Sequence, residues 1–389
     1  MKKIVLVISG SVAAKKIYEL LELFKDKKIL ITCVLTNSAT KFVDKQKIRK
    51  ITKNKIYYRD SYNYDHINLS RNNDAVLICP ASANIIAKCA QGLADDFAST
   101  FLLASNKPLF IAPAMNKQMW DNSSTQKNVN ELKVNGVNFI GPIKGNLACG
   151  EIGNGRLEKL DIIVNTINFF LNAKKLLKNK KVIITAGPTR TYIDPIRFIT
   201  NNSSGKQGYE IAKILSYFGC KVFLVSGPTY NSKPYNVIEK KVENTNEMYK
   251  KVINLMPCDI AIFTAAVNDF ELKKTHANKI KKNNLKVIKL SKSIDILQTV
   301  SKLKKNKPKL IIGFAAETNN LIKNSKNKRK IKGCDWILAN KITKNNPAFS
   351  SDFNKITFIS DRKTETWSRM SKTNIAKKLS DKIVKFFTD

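Results

Sequence analysis

The chain has 389 residues, 43% of them hydrophobic, and a formal net charge of +39 at pH 7. This length exceeds one typical hydrophobic core and predicts two domains, and no apolar run reaches the length of a membrane span. The opening MKKIVLVISG pairs two lysines with a short apolar run that ends at a glycine turn. It therefore predicts a first β-strand rather than a signal peptide, and we expect a cytoplasmic protein.

The excess of basic residues is spread along the whole chain. Taken alone, such a charge indicates binding to nucleic acid or to an anionic membrane. Here lysine is mixed with asparagine and isoleucine throughout, and no basic patch carries interleaved aromatic residues that would stack bases. We interpret the charge as a compositional bias that helps attract phosphorylated substrates, and we expect neither a specific nucleic acid nor a membrane as partner.

The seven cysteines form no CxxC pair and no zinc-ligand pattern with histidine. Most of them lie in apolar runs and are predicted to be buried thiols. Cys149 differs because it lies in the glycine-rich segment NLACGEIGNGR.

The first half of the chain alternates short apolar runs with amphipathic patterns. The runs predict strands at residues 4–8, 28–36, 75–79, 108–112 and 137–141. The patterns predict helices at residues 13–24, 84–91, 123–135 and 159–171. This alternation predicts a parallel sheet covered on both faces, in a domain spanning residues 1–175.

The pattern restarts after the basic linker AKKLLKNKK. KVIITAGPTR (181–190) repeats the strand and glycine turn, and a helix is predicted at residues 206–218. Further strands are predicted at 221–226, 259–264, 309–314 and 336–339, then a hairpin in which KITFIS and TETWSR flank DRK, and a last helix at 374–387. We therefore expect a second, Rossmann-like α/β domain at residues 176–389.

Ligands of open α/β sheets bind at the carboxyl ends of the strands. In the first half, three such positions carry small polar residues: SGSVAA (9–14), Thr36 to Ser38, and PASAN (80–84). The first lacks GxGxxG spacing, and a tight structural turn explains it equally well. Three such loops at one edge nevertheless suit a mononucleotide phosphate and a flavin ring.

The run PAMNKQMW (113–120) is more specific. Together with PASAN, DDFAST (95–100) and ACGEIGNGR (148–156), it resembles the flavin-dependent cysteine decarboxylase family across residues 1–170. The resemblance implies a flavodoxin-like (HFCD flavoprotein) domain that binds FMN and forms trimers with active sites at subunit interfaces. The FMN-binding residues that it implies are Ser9, Gly10, Ser11, Thr36, Ser38, Pro80, Ala81, Ser82, Asn84, Ser99 and Met115.

The resemblance also implies a reaction. The flavin oxidises a cysteine unit to a thioaldehyde, which serves as the electron sink for loss of CO2, and the resulting enethiolate is then reduced. His66 is implied as the catalytic base, Asn116 as the group that binds the carboxylate, and Cys149 as the acid. Without the resemblance, a lone histidine is more often structural and Cys149 is an inert loop thiol. The glycines at 150, 153 and 155 predict a flexible flap over the substrate.

In the second half, ITAGPTRTYIDPIRFITNNSSGKQG (184–208) is the most specific segment. A glycine turn after a strand accepts a nucleotide phosphate, and SSGKQG (203–208) opens a helix whose N-terminal amides attract another anion. SSGKQG lacks the Walker A spacing. The segment resembles the phosphopantothenate–cysteine ligases, and the resemblance extends over roughly residues 180–385.

This second resemblance implies activation of a carboxylate by CTP. An acyl-cytidylate and pyrophosphate form first, and the amine of cysteine then attacks, while Mg²⁺ and lysines neutralise the triphosphate. Asn201 is implied to handle the acyl-cytidylate, Lys279 the reaction centre, and Asp269 the nucleotide and the metal. The implied CTP pocket contains Ala265, Ala266, Val267, Asp269, Lys279, Ile294, Asp295, Ile296, Leu297, Phe314, Lys328 and Lys332. For each of these lysines, a solvated surface position is the alternative in so basic a chain.

Three departures from the ligase pattern leave the nucleotide selectivity open. KSIDIL (292–297) lacks the family's proline, which we expect to relax that turn; Asn268 follows TAAV where alanine is usual; and Lys341 replaces an aspartate.

Together the two resemblances imply a bifunctional enzyme of coenzyme A biosynthesis that ligates cysteine to 4′-phosphopantothenate and decarboxylates the product. They also imply a homo-oligomer, a dodecamer of decarboxylase trimers and ligase dimers. The alternatives are a chain with one degenerate half, a nucleic-acid-binding protein on a flavodoxin-like scaffold, and an NAD oxidoreductase. The absence of a GxGxxG motif with a downstream acidic residue disfavours the last.

Overall fold

The computed structural model describes residues 1–58, 64–173, 176–272, 278–281, 287–343 and 351–389. The chain forms two compact units, Met1–Lys174 with Ser232–Tyr235, and Lys175–Asn231 with Asn236–Asp389. Within the described ranges, no helix is both long and apolar enough to cross a membrane.

The described residues of the N-terminal unit form eight strands and eight α-helices. The strands are β1 (Lys2–Ile8), β2 (Ile29–Leu35), β3 (Ile56–Tyr57), β4 (Ala75–Ala81), β5 (Leu109–Pro113), β6 (Asn138–Phe139), β7 (Ile143–Asn146) and β8 (Ile152–Arg156). The helices are α1 (Ile17–Asp26), α2 (Lys45–Thr52), α3 (Asp65–Arg71), α4 (Ala83–Gln91), α5 (Phe97–Ala104), α6 (Lys117–Asp121), α7 (Ser123–Val134) and α8 (Leu160–Asn172). Two short 3₁₀ helices occupy Val12–Lys16 and Ala39–Lys41.

The first six strands form one parallel sheet in the order β3-β2-β1-β4-β5-β6. Without the two-residue β3, this is the 2-1-3-4-5 order of flavodoxin-like sheets. The predicted parallel α/β fold is confirmed. Strands β7 and β8, which the sequence analysis did not predict, pair as a separate antiparallel hairpin.

Beyond the exposed Lys2 and Lys3 at its start, β1 is apolar because both faces of the sheet are buried. In β1, Ile4, Leu6 and Ile8 belong to one core cluster, whereas Val5 and Val7 belong to the cluster on the other face. Helix boundaries follow local chemistry. The Ser82 hydroxyl caps α4 at its N-terminus, and Gly92 ends that helix in a left-handed conformation.

The C-terminal unit has fourteen described strands and five described α-helices. Its strands are β9 (Lys181–Ala186), β10 (Arg190–Tyr192), β11 (Phe198–Thr200), β12 (Lys221–Ser226), β13 (Val237–Lys241), β14 (Ile260–Phe263), β15 (Phe270–Leu272), β16 (Leu290–Lys292), β17 (Leu310–Glu317), β18 (Trp336–Lys341), β19 (Phe353–Asn354), β20 (Ile356–Ile359), β21 (Thr364–Thr366) and β22 (Met370–Ser371). Its helices are α9 (Lys206–Tyr217), α10 (Thr245–Asn254), α11 (Ile296–Ser301), α12 (Leu321–Lys332) and α13 (Lys372–Thr388).

Eight of these strands form the central sheet, in the order β13-β12-β9-β14-β17-β18-β20-β21. The first six are parallel, and β20 and β21 are antiparallel to their neighbours. The predicted second α/β domain, its terminal hairpin and its last helix are therefore confirmed. Two ribbons, β10–β11 and β15–β16, lie next to the loops that carry the candidate ligase residues.

Candidate active sites

The loops after β1 and β4 are tied together by a buried serine. The Ser9 hydroxyl donates to the Pro80 carbonyl at 2.8 Å and accepts the Ser82 backbone N–H at 2.8 Å. Ser9 is more than 70 positions away from Pro80 and Ser82 in the sequence. The sheet therefore brings together three predicted flavin-binding residues from distant segments.

The loop after β2 packs closely against the loop after β1 at Gly10. A Cβ atom on Gly10 would lie 2.6 Å from the Cβ of Ser38, so only glycine fits this approach. The Ser38 and Thr36 hydroxyls lie 3.1 Å apart beside it. Hydroxyl groups on a closely packed backbone turn fit the phosphate of a mononucleotide, which supports FMN as the bound group.

A cavity of about 550 Å³ lies next to these loops. Four predicted site residues line it, namely Ser11, Met115, Asn116 and Cys149. Three basic residues that the sequence analysis missed, Lys15, Lys16 and Arg156, line it as well. The sequence motifs point to these residues, because Lys15 and Lys16 directly follow SGSVAA and Arg156 is the last residue of ACGEIGNGR.

Asn116 is held at the cavity by its position at the start of α6. Its Oδ1 accepts the Met119 backbone N–H at 2.8 Å, which makes Asn116 the N-cap of that helix. With the oxygen used by the cap, the Nδ2 group is the donor that suits a substrate carboxylate.

The β7–β8 hairpin presents Cys149 on its turn, where the thiol is exposed. The predicted flexibility of its glycines is wrong for Gly153 and Gly155, which lie in the paired strand β8. Gly155 has φ +126°, its carbonyl accepts the Met115 N–H at 3.0 Å, and an added Cβ would lie 2.3 Å from the Met115 carbonyl oxygen. This glycine therefore serves close packing. Gly150, on the turn, has open space where a Cβ would be.

Among the predicted residues that do not line the cavity, three lie in helices. His66 is half-buried in the first turn of α3, next to Asp65, which pairs with Lys55 at 2.9 Å. Ser99 is 1% exposed, and its hydroxyl completes the capping box of α5 with Asp96. Asn84 is exposed in the first turn of α4.

The remaining cysteines behave as the sequence predicts. Cys33, Cys79, Cys220, Cys258 and Cys334 are buried, and Cys89 is half-buried. Burial raises the pKa of the Cys33 and Cys79 thiols to about 12, so both stay protonated and unreactive at neutral pH.

In the C-terminal unit, Asn201 lies directly after β11 and is exposed. Its Nδ2 donates to the carbonyls of Ala266 at 3.0 Å and Val267 at 3.2 Å. The structure thus joins the residue implied for the acyl-cytidylate to two residues of the implied nucleotide pocket.

The turn that begins KSIDIL is held by two hydrogen bonds of Ser293. The Ser293 N–H donates to the Asp269 carbonyl at 2.9 Å, and the Ser293 hydroxyl donates to the Asn268 carbonyl. Asp269 itself is exposed beside this turn. In the described ranges, no three His, Cys, Asp or Glu side chains form a preformed metal cluster. One carboxylate completed by nucleotide phosphates fits Mg²⁺, which often binds in this way.

Lys279 lies beside an ion pair between buried Asp194 and partly exposed Arg197. The Asp194 carboxylate accepts both the Arg197 guanidinium and the Ile280 backbone N–H, and Arg197 also donates to the Ile280 carbonyl at 3.0 Å. The Arg197 side chain holds the pKa of Asp194 well below its ordinary range. Arg197, Lys279, Ile280 and Lys281 line a second cavity of about 410 Å³, which suits an anion.

The other implied CTP residues surround α11 and α12. The Asp295 carboxylate caps α11 through the Gln298 N–H at 2.9 Å and forms an ion pair with Lys332. Lys328 lies 3.8 Å from the Glu317 carboxylate at the end of β17, the strand that carries half-buried Phe314. The remaining residues of that turn are Ile294, Ile296 and Leu297, and the side chain of Ile296 is only 3% exposed and packs in the core.

These two α/β units define a two-domain flavoprotein. The Flavoprotein family model matches residues 1–172, and the model described as DNA/pantothenate metabolism flavoprotein C-terminal domain matches residues 177–387. The coenzyme A biosynthesis bifunctional protein CoaBC of Haemophilus influenzae is 37% identical over 98% of this chain and 97% of its own length. The Bacillus subtilis protein of the same name is 35% identical, over 96% of this chain and 95% of its own.

The chain therefore belongs to the CoaBC family of bifunctional coenzyme A biosynthesis proteins, which confirms the prediction from its motifs. Among solved structures, the C-terminal domain of a CoaBC protein is 35% identical, with a TM-score of 0.47 over 55% of this chain and 98% of that domain.

Proposed function

We propose that residues 176–389 join cysteine to 4′-phosphopantothenate and that residues 1–175 decarboxylate the resulting 4′-phosphopantothenoylcysteine, in the cytoplasm. The observation that carries the proposal is the cavity of the N-terminal unit, which gathers Ser11, Met115, Asn116 and Cys149 from three separate segments. Membership of the CoaBC family over nearly the full length supports both halves.

In the decarboxylase half, the loops containing Ser9, Gly10, Thr36, Ser38 and Pro80–Asn84 hold FMN. When bound, FMN supplies the two-electron oxidation that allows an unactivated carboxylate to leave. The Nδ2 group of Asn116 binds and orients that carboxylate, and Cys149 supplies a proton from the hairpin turn. His66 acts as the base.

Because His66 does not line the cavity of its own chain, we propose that the site is completed at a subunit interface. The expected assembly is a trimer of this half, joined through dimers of the ligase half into a dodecamer. Sedimentation of the flavin-loaded protein tests this arrangement, and a monomeric species with full activity would contradict it.

In the ligase half, CTP is the activating nucleotide and Mg²⁺ is held by Asp269 together with the phosphates. Asn201 contacts the acyl-cytidylate, and Lys279 stabilises charge at the reaction centre, beside the anion-suited cavity that it lines. Asp295, Lys328, Lys332 and Phe314 surround the nucleotide. Their placement around α11 and α12 supports this assignment.

The test is a coupled assay of the purified protein with FMN, Mg²⁺, CTP, cysteine and 4′-phosphopantothenate, in which pyrophosphate and CO2 are followed separately. We expect both products from the natural protein. His66→Asn should lower CO2 release at least a hundredfold and leave pyrophosphate release unchanged, and Asn201→Ala should lower amide formation. If the folded, flavin-loaded protein releases neither pyrophosphate nor CO2, the proposal is rejected.

A further inference from the structure

We infer that Asn268 is a positioning residue that holds Asn201 in place for the amide-forming step. This inference rests on the ligase half of the proposed function. Asn268 lies between Val267 and Asp269, is 7% exposed, and contacts three separate segments of the C-terminal unit.

The side-chain amide of Asn268 joins both strands of the β10–β11 ribbon. Its Nδ2 donates to the Thr191 hydroxyl at 3.0 Å and to the Ile199 carbonyl at 2.9 Å. Thr191 and Ile199 lie directly opposite each other in the ribbon. One amide group therefore fixes the ribbon two residues before Asn201.

The partners determine which way this amide points. The Ile199 carbonyl only accepts hydrogen bonds, and the Thr191 hydroxyl already donates to the Phe270 carbonyl at 3.0 Å. Both partners therefore need a donor, which the NH₂ group supplies and the amide oxygen does not. A carboxylate of the same shape would place an oxygen against the Ile199 carbonyl.

The backbone of Asn268 bonds again to the segment of β10 and reaches one further segment. Its N–H donates to the Thr189 hydroxyl at 2.9 Å, and Thr189 in turn accepts the Thr200 hydroxyl at its carbonyl, at 2.9 Å. Its carbonyl accepts the Ser293 hydroxyl, one residue before Ile294 of the proposed CTP pocket. Asn268 thus connects the segment of Asn201, which is proposed to contact the intermediate, with the segments of Asp269 and Ile294, which are proposed to contact the metal and the nucleotide.

Asn201 and Asn268 bind each other's segments reciprocally. Asn201 donates to the Ala266 and Val267 carbonyls, and Asn268 donates to the Ile199 carbonyl. Asn201 is exposed, whereas Asn268 is buried. The exposed amide is able to exchange its bonds for groups of the acyl-cytidylate, and the buried amide keeps the two segments aligned while it does so.

The experiment measures pyrophosphate release and amide formation in a first turnover of the full-length protein with CTP, Mg²⁺, 4′-phosphopantothenate and cysteine. In Asn268→Asp, we expect the ratio of amide formed to pyrophosphate released to fall at least tenfold, as in Asn201→Ala. In the double variant it should fall no further than in Asn201→Ala, because Asn268 acts through Asn201.

The matched control is Asn244→Ala, which removes the N-cap of α10 in the same unit. It should lower the thermal midpoint and leave the ratio unchanged. If Asn268→Asp does not fold, Thr191→Val removes one of the two acceptors, and the ratio should fall about threefold. An unchanged ratio in a folded Asn268→Asp or Thr191→Val variant overturns the inference, as does an equal fall in the control. Absence of pyrophosphate from the natural protein overturns the proposed function and the inference together.

Discussion

The two units build their sites on equivalent sheets but differ in the contacts that hold most of the proposed site residues. In each sheet, the six parallel strands, numbered along the chain, lie in the order third, second, first, fourth, fifth, sixth. In the N-terminal unit, backbone segments at the site approach where a Cβ is missing, at Gly10 against Ser38 and at Gly155 against Met115, alongside the hydrogen bonds of Ser9. The C-terminal unit also has a close glycine approach, at Gly227 against Pro188. The segments that carry its proposed ligase residues, however, are joined by carboxamide and charged side chains, through Asn201, Asn268 and the Asp295–Lys332 pair.

The two kinds of contact are disrupted by different substitutions. A loop fixed by the absence of a side chain fails when any atom is added, whereas a loop fixed by side-chain bonds fails when a donor or acceptor is lost. The glycine approaches of the N-terminal site and the side-chain bonds of the C-terminal site should therefore respond to different substitutions.

The largest effect is expected for Gly155→Ala. The added methyl group would lie 2.3 Å from the Met115 carbonyl oxygen, at a φ of +126° that alanine rarely adopts. We expect the free energy of unfolding of the N-terminal unit to fall by about 3 kcal/mol, and FMN affinity to fall more than tenfold as Met115 and Asn116 shift. Urea unfolding and a flavin-fluorescence titration measure the two effects.

The control is Gly150→Ala in the same hairpin, where φ is +86° but nothing lies within 4 Å of the new Cβ. It should cost about 1 kcal/mol from backbone strain alone. Equal losses in the two variants would show that close approach is not what fixes this hairpin.

An intermediate effect is expected for Lys332→Met, which removes the ion pair with Asp295 but keeps the cap that Asp295 makes on α11. We expect the KM for CTP to rise about tenfold, which corresponds to about 1.4 kcal/mol. Initial rates of pyrophosphate release measure it. Lys330→Met, at an exposed position on the same helix, is the control. If neither variant changes the KM for CTP, Lys332 does not belong to the nucleotide pocket.

The smallest effect is expected for Glu365→Gln, far from the proposed ligase residues in the sequence. Lys382 at 2.9 Å, with Lys378 and Lys363, lowers the pKa of Glu365 from 4.5 to about 2. The carboxylate therefore stabilises the fold above pH 4.5, and this contribution is lost as the pH falls through about 2.

Since the cluster is partly solvated, we expect Glu365→Gln to lower the free energy of unfolding by about 0.5 kcal/mol near neutral pH and to leave both activities unchanged. Urea unfolding at several pH values measures this difference. A difference that grows toward acid pH would contradict the assignment.

The sequence predicts the layered fold well because its signals are local. A strand such as β12 (Lys221–Ser226) contains the apolar run VFLV and follows the turn after α9, and its predicted and observed limits coincide. Ser11, Asn116 and Cys149 were likewise predictable, because each lies in a short motif and the sheet edge brings those motifs to one cavity.

What the sequence did not predict depends on contacts between distant segments. The bonds of Asn268 reach residues 25 to 79 positions away, and the Asp295–Lys332 pair spans 37. Neither leaves a periodic or motif signal. The glycines of the β7–β8 hairpin were misread for the same reason, since a glycine needed for close packing and one in a mobile turn look identical until the neighbouring segment is placed.

The positions of the cysteines make selective labelling of the native protein possible. All seven cysteines lie in the described part of the chain, and only Cys149 is exposed, on the hairpin turn that borders the N-terminal cavity. A maleimide reagent should therefore label the native protein at one position and leave the buried thiols intact. A fluorophore attached there would report occupancy of the cavity without any engineered substitution, and protection of Cys149 from labelling would reveal when the cavity is filled.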